Sequence, residues 1–247
     1  YARVILSEVD AMENMFRSGD ARKQRFSLSV PRASYISEAF AAFSERFSDI
    51  SQIEAFYKET NPMRTLKNIL EDGYNLGIIR YAAQYDKYYK EMLEEKGLSY
   101  ELICEFRFVL LTSRSSPIAT KETVTEADLE DLTEVLYGDP YVPSMPLDEV
   151  RKEAWSDVSP RRIFVFERGS RFDLLAGNPN TFMWVAPIPQ TVLDRYGLVQ
   201  RTCGDGHRIY KDILIRRKEY KLSELDNAFI AELCRTKREV FREGTSL

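Results

Sequence analysis

The sequence predicts an α+β protein: a helical N-terminal part packed with a C-terminal antiparallel, hairpin-containing sheet and a closing C-terminal helix. Three observations predict it. Apolar residues recur at spacings of three and four through much of the first 137 residues, the period of an amphipathic helix. Short runs rich in β-branched and aromatic residues, separated by glycine-bearing turns, fill 161–217. Charge follows the same division: residues 161–221 hold twelve basic and six acidic side chains, residues 1–160 hold nineteen and twenty-eight, and the whole chain carries −4.

In chain order, Val4, Ile5, Val9, Met12 and Phe16 predict a helix over 4–16. Ser34 then caps a helix whose Ile36, Phe40, Phe43 and Phe47 share a face. Ser51 and Glu54 have the spacing of a capping box for a short helix through Ile53, Phe56 and Tyr57. Asn61-Pro62 starts another, with proline where its missing N–H does no harm. From Leu76 to Lys96, Ile78, Tyr81, Tyr85, Tyr88 and Met92 predict one long helix stopped by Gly97. From Tyr100 to Leu111 two periods compete: Leu102, Phe106, Val109 and Leu110 fit a helix face, while Tyr100, Leu102, Cys104, Phe106, Phe108 and Leu110 alternate and tip the reading toward a strand.

Thr125 and Asp128 open a helix with Leu129, Leu132 and Leu136 inward and Gly138 at its end. Pro140, Pro143 and Pro146 predict a stiff connection, followed by a short helix from Leu147 to Trp155. The expected organisation is therefore a mainly helical, acidic part at 1–137, a connection at 138–160 and a basic, strand-rich part at 161–247. A strand at 100–111 would make these one intertwined domain.

Past the connection, strands are expected at Arg162–Glu167, Arg171–Leu175 and Thr181–Ala186. Pro189 starts a short helix through Val192, Leu193 and Tyr196 that Gly197 ends. Leu198–Cys203 and His207–Arg217 flank Gly204-Asp205-Gly206, which predicts a β-hairpin. Ser223 caps a closing helix from Glu224 to about Glu243, whose basic residues gather at the C-terminal end, where they suit the helix dipole.

No apolar run approaches the roughly 20 residues of a membrane span. Three widely spaced cysteines, Cys104, Cys203 and Cys234, fit a reducing compartment and a cytoplasmic protein better than a disulfide scaffold. No phosphate-cradling motif occurs, and no cofactor is expected. Cys203, Asp205 and His207 surround one turn, but a structural zinc site wants four ligands and no second pair exists. The same cysteine and histidine lack an orienting acid for nucleophilic catalysis. Asp173, Glu219 and Lys221 are the residues a metal-dependent nuclease would use.

The reading favoured by the sequence is a non-catalytic macromolecular-interaction protein, an adaptor or structural subunit of a larger assembly, with a protein partner or a second copy of itself. The alternative is a nucleic-acid-binding protein that uses a helix-plus-hairpin element at 189–221. Its contacts, to phosphates or to an acidic partner, would be Arg201, Arg208, Lys211, Arg216, Arg217, Lys218 and Lys221. A metal-dependent nuclease or other hydrolase ranks third.

Overall fold

The structure is a computed structural model that describes residues 23–140, 158–204 and 208–243. The expected helix at 4–16, the short helix at 147–155, Pro143, Pro146, Asp205, Gly206 and His207 lie outside those residues. Two five-stranded sheets organise the rest. We name the elements β1 (Gln24–Val30), α1 (Ser34–Ser44), β2 (Ile53–Glu59), α2 (Pro62–Leu70), β3 (Leu76–Ala82), α3 (Asp86–Glu95), β4 (Leu98–Arg107) and β5 (Val109–Ser113). They continue with β6 (Thr133–Tyr137), β7 (Arg161–Val165), α4 (Arg168–Gly177), β8 (Thr181–Val185), α5 (Gln190–Tyr196), β9 (Leu198–Arg201), β10 (Ile209–Arg217) and α6 (Glu224–Glu243).

Lobe A has strand order β2-β1-β3-β10-β4 and lobe B has β7-β6-β8-β5-β9. In both, the first three strands run parallel and the fourth position is filled by an antiparallel strand that has crossed from the other lobe: β10 pairs with β3 and β4, and β5 pairs with β8 and β9. The two lobes thus share one topology and exchange one strand each. The first crossover is a single residue, Phe108, between β4 and β5; the second spans 202–208. Phe108 stacks at 4.0 Å and 11° on Tyr210, the second residue of β10, so the first crossover leans on the strand that enters lobe A from lobe B.

β1 explains why the expectation of a helical front half fails. Phe26, Leu28 and Val30 enter the core beneath α1 and α6, while Ser27 and Ser29 on the opposite face are equally buried. Ser29 Oγ lies 3.1 Å from Thr65 Oγ1 and accepts from Asn68 Nδ2 at 2.8 Å; Ser27 Oγ accepts from the Asn75 amide at 3.0 Å. A strand covered on both faces shows no apolar–polar alternation, so it does not announce itself. β3 is the same case: Leu76 and Ile78 face the α1/α6 core and Ile79 and Tyr81 face α2 and α3. Its run of buried residues, continued by α3, imitates one long helix, and Tyr81 stacks on Tyr89 of α3 at 4.1 Å.

Other expectations are corrected in detail. The capping-box segment at 51–57 is the edge strand β2, parallel to β1. The expected strand at 171–175 is part of α4, with Arg171, Phe172 and Leu175 buried along one side. The capping box of Thr125 and Asp128 forms, but it opens only a 3-10 turn at Glu126–Leu129, after which the chain becomes β6. β9 and β10 are not a hairpin: one belongs to lobe B and the other to lobe A. Each sheet draws strands from both sides of 138–160. The strand at 100–111 is present as β4 and β5. Helices at Pro62 and Gln190, the left-handed stop at Gly197 (φ 62°) and the closing α6 also form.

Charge does not separate into two faces. Basic residues after 160 bond to acids before it: Arg168 to Glu59, Lys211 to Asp86 and Glu105, and Arg161 to Asp131.

A candidate ligand site between the lobes

In an open sheet whose strand order reverses, ligands sit beyond the carboxyl ends of the strands at the reversal. Both lobes reverse order at the first of their parallel strands, β1 and β6, and the segments that leave those strands meet each other. From β1 come Arg32 and Ser34, at the start of α1; from β6 come Tyr137 and Asp139.

Four contacts join the lobes here. Arg32 donates to both oxygens of Asp139, at 2.9 and 3.0 Å, with its guanidinium 4.7 Å from the centre of the Tyr137 ring. Arg168 Nε, at the start of α4, donates to Glu59 at 2.7 and 3.0 Å. Thr191 of α5 donates to Glu38 Oε1 of α1 at 2.7 Å. The fourth is Arg171, which donates Nη2 to Ser34 Oγ at 2.9 Å and Nη1 to the Tyr137 hydroxyl at 3.0 Å.

Arg171 is the unusual member. It is 2% exposed, its Nε has no hydrogen-bond partner, and no carboxylate bonds to it among the described residues. A guanidinium has five N–H donors, so most of its capacity is unused. Burial pushes its pKa down, with the Arg168 cation adding to the effect and Tyr137 and then Glu59 opposing it only in part. Phe172, 4.6 Å from the guanidinium by ring centre, supplies a face to the cation but no counter-charge. A buried charge without a counterion is expensive. Burial also pushes the Tyr137 and Tyr57 hydroxyls up, so both stay protonated donors.

The start of α1 complements that cation. Its N-cap position is Ala33, which supplies no side-chain acceptor, so the amides of the first turn remain open to an anion. Ser34 accepts from Arg171 and keeps its own hydroxyl proton to donate. Two groups that favour negative charge, one from each lobe, therefore converge on one place.

A second buried network fixes the start of α1 from behind. Asp212 of β10 is fully buried and accepts from Arg80 Nε and Nη2, both at 2.7 Å, and from the Tyr35 hydroxyl at 2.5 Å. Arg80 lies 4.8 Å from the centre of the Phe106 ring and 5.9 Å from that of Phe108. Tyr35 follows Ser34, so the network runs from the crossover aromatics to the first turn of α1.

The residues singled out in the sequence are not assembled in this way. Arg201 is on β9 in lobe B, donating to the Glu122 carbonyl. Arg208 is exposed beside β10 in lobe A. Lys211 pairs with Asp86 and Glu105, Arg216 donates to the Tyr220 carbonyl, and Arg217 caps the end of α2 through the carbonyls of Ile69 and Leu70. Lys218 and Lys221 are exposed in the turn after β10. Asp173 lies on α4 of lobe B, away in the fold from Glu219 and Lys221 of lobe A, and the described residues contain no group of three acidic, histidine or cysteine side chains able to hold a metal. Sequence reasoning missed Arg32, Ser34, Tyr137 and Arg171; the one signal on offer was Pro31-Arg32-Ala33-Ser34 opening a helix.

No family model matches the sequence, and no curated protein matches it. Solved structures do resemble the fold. The regulatory domain of MetR, a LysR family regulator from N. meningitidis, superposes with a TM-score of 0.55 at 15% identity, over 88% of this chain and 95% of that one. The effector-binding domain of QuiR in complex with shikimate gives 0.55 at 14% identity, over 87% and 98%. The regulatory domain of Synechocystis CcmR in complex with 2-PG gives 0.57 at 16%, over 86% and 97%. The fold is that of a LysR-type regulatory domain.

That likeness corrects the expected function. An adaptor or assembly subunit and a nuclease give way, because the solved structures that share the fold include the regulatory domains of MetR and CcmR and the effector-binding domain of QuiR; the helix-plus-hairpin element expected at 189–221 gives way because its two strands belong to different lobes. Among the described residues no helix is long and apolar enough to cross a membrane.

Proposed function

We propose that this chain is the ligand-sensing domain of a transcription regulator and that it binds a small oxyanion between its lobes, at the start of α1. One observation carries the reading: Arg171 of lobe B is buried without a carboxylate and reaches across to Ser34 of lobe A. An anion placed there satisfies the guanidinium, the Ser34 hydroxyl and the first-turn amides together, and it does so only when the lobes are together. Occupancy is thereby converted into a preference for the closed arrangement, which is what a sensor requires. The QuiR and CcmR domains, of the same fold, form complexes with shikimate and 2-PG.

Thermal unfolding in the presence of a panel of small carboxylates and phosphates, shikimate and 2-PG included, tests this. A ligand at a hundred times its Kd adds about 2.7 kcal/mol, or roughly 5–11 °C for a chain of this size. Arg171→Met is expected to remove the shift and Ser34→Ala to reduce it. If every panel member leaves the midpoint unchanged, or if a shift survives in Arg171→Met, the reading is wrong.

A further inference from the structure

We infer that the ligand carries a single net negative charge, and that Asp139 and Glu59 are the residues that set this limit. The inference rests on the oxyanion reading and deepens it. Three guanidiniums converge where the lobes meet: Arg32, Arg168 and Arg171. Two of them already hold a carboxylate from the opposite lobe, Arg32 through both oxygens of Asp139 and Arg168 through both oxygens of Glu59. Glu38, one turn further along α1, accepts from Thr191 through Oε1, its Oε2 is buried without a partner, and no bond joins it to any of the three. Arg171 is thus the one guanidinium of the three with no carboxylate bonded to it, and one negative charge placed against it balances it.

Asp139 and Glu59 act as built-in competitors. A ligand with two carboxylates would have to place the second beside Arg32 or Arg168, and there it would meet a carboxylate already in the fork. Like charges brought together in a part-buried site disfavour binding, which is how a site rejects the wrong ligand rather than merely preferring the right one. The exposures bear on this role: the Asp139 and Glu59 side chains are 29% and 16% exposed, so both are part-buried and solvent screens the repulsion only in part, less at Glu59 than at Asp139.

The test compares acids of one skeleton that differ in charge, benzoate with phthalate and butyrate with succinate, by isothermal titration against the whole chain. The wild type is expected to bind the monoacid of the better pair about tenfold or more tightly than its diacid. Asp139→Asn frees Arg32 and is expected to reverse that order, with the diacid gaining about tenfold or more. Glu59→Gln, which frees Arg168 from another strand, gives a second and independent reversal should Asp139→Asn fail to fold. A wild type that prefers diacids, or an order unchanged in both variants, overturns the inference and leaves the oxyanion reading standing. Absence of binding by every acid in the wild type overturns both.

Discussion

The network behind α1 offers the sharpest test of how this fold is held. Asp212 has no exposure and accepts three hydrogen bonds, and the Arg80 side chain beside it is 13% exposed. Replacing Asp212 with leucine strands a buried guanidinium and leaves the Tyr35 hydroxyl without its acceptor. Removing one partner of a buried pair costs about 3–5 kcal/mol, because the remaining charge is uncompensated. At roughly 2–4 °C per kcal/mol for a chain of this length, the midpoint falls by about 6–20 °C. Arg80→Met is expected to cost a similar amount, since it leaves the carboxylate bare. The double variant, Arg80→Met with Asp212→Leu, removes both charges and is expected to cost much less than the two singles together. Urea unfolding followed by fluorescence and far-UV circular dichroism gives the cycle, with coincident transitions checking that the lobes unfold as one. Additive losses, or a single variant within about 1 kcal/mol of the wild type, would refute the claim that the two charges depend on each other.

Three further expectations follow from burial. Gly77 has no room for a methyl group: an added Cβ would come 2.8 Å from Thr65 Cγ2 and 2.9 Å from Ile215 Cγ1, so Gly77→Ala should cost about 1–3 kcal/mol by urea unfolding, and an unchanged midpoint would contradict the packing. Burial, then the neighbouring carboxylates Asp212 and Glu59, push the Tyr35 and Tyr57 hydroxyls well above the ordinary value. The folded chain therefore holds protons that the unfolded chain gives up. Its stability is full below about pH 10 and declines as pH rises above that, and absorbance at 295 nm should show fewer tyrosines ionising near pH 10 in the native chain than in guanidinium. Burial also raises the thiol pKa of Cys104 to about 12 and lifts that of Cys203, so at pH 8 both should react slowly with Ellman's reagent until the chain is unfolded; rapid native labelling of either would be the contrary result.

What the sequence made legible was punctuation. Asn61-Pro62, Pro189, Gly97, Gly197 and Ser223 mark element ends through their own side chains or backbone freedom, and the structure uses each. The Asn61 carboxamide accepts from the Arg64 amide, and Ser223 and Asp226 cap one another. The strand at 100–111 was readable from its run of alternating apolar residues, although the structure does not bury them as one face: β4 is an edge strand whose register slips at Ile103, which leaves Leu102 58% exposed and sets Ile103 and Cys104 against the same core. The central parallel strands were hidden for the reason that makes them central: helices cover both faces. Arg171 was hidden for a different reason. Its partners, Ser34 and Tyr137, are 137 and 34 positions away, and no local pattern connects them. Charge counted by segment misled, since ion pairs such as Arg168 with Glu59 are made between segments, and a segment's net charge says nothing about which face its side chains share.

The exchange of β5 and β10 also bears on how such a chain is made. Lobe B has all its strands once Arg201 has been synthesised, but lobe A must wait. Until Ile209–Arg217 follows, β3 and β4 have a strand-wide gap between them, and each presents an unpaired row of amides and carbonyls to whatever is near. Closing that gap joins residues more than a hundred positions apart, such as Asp212 and Cys104, a long-range step of the kind that slows folding. A nascent chain stalled before Ile209 would hold one finished lobe and one open sheet, and the open sheet is where self-association and chaperone capture would begin.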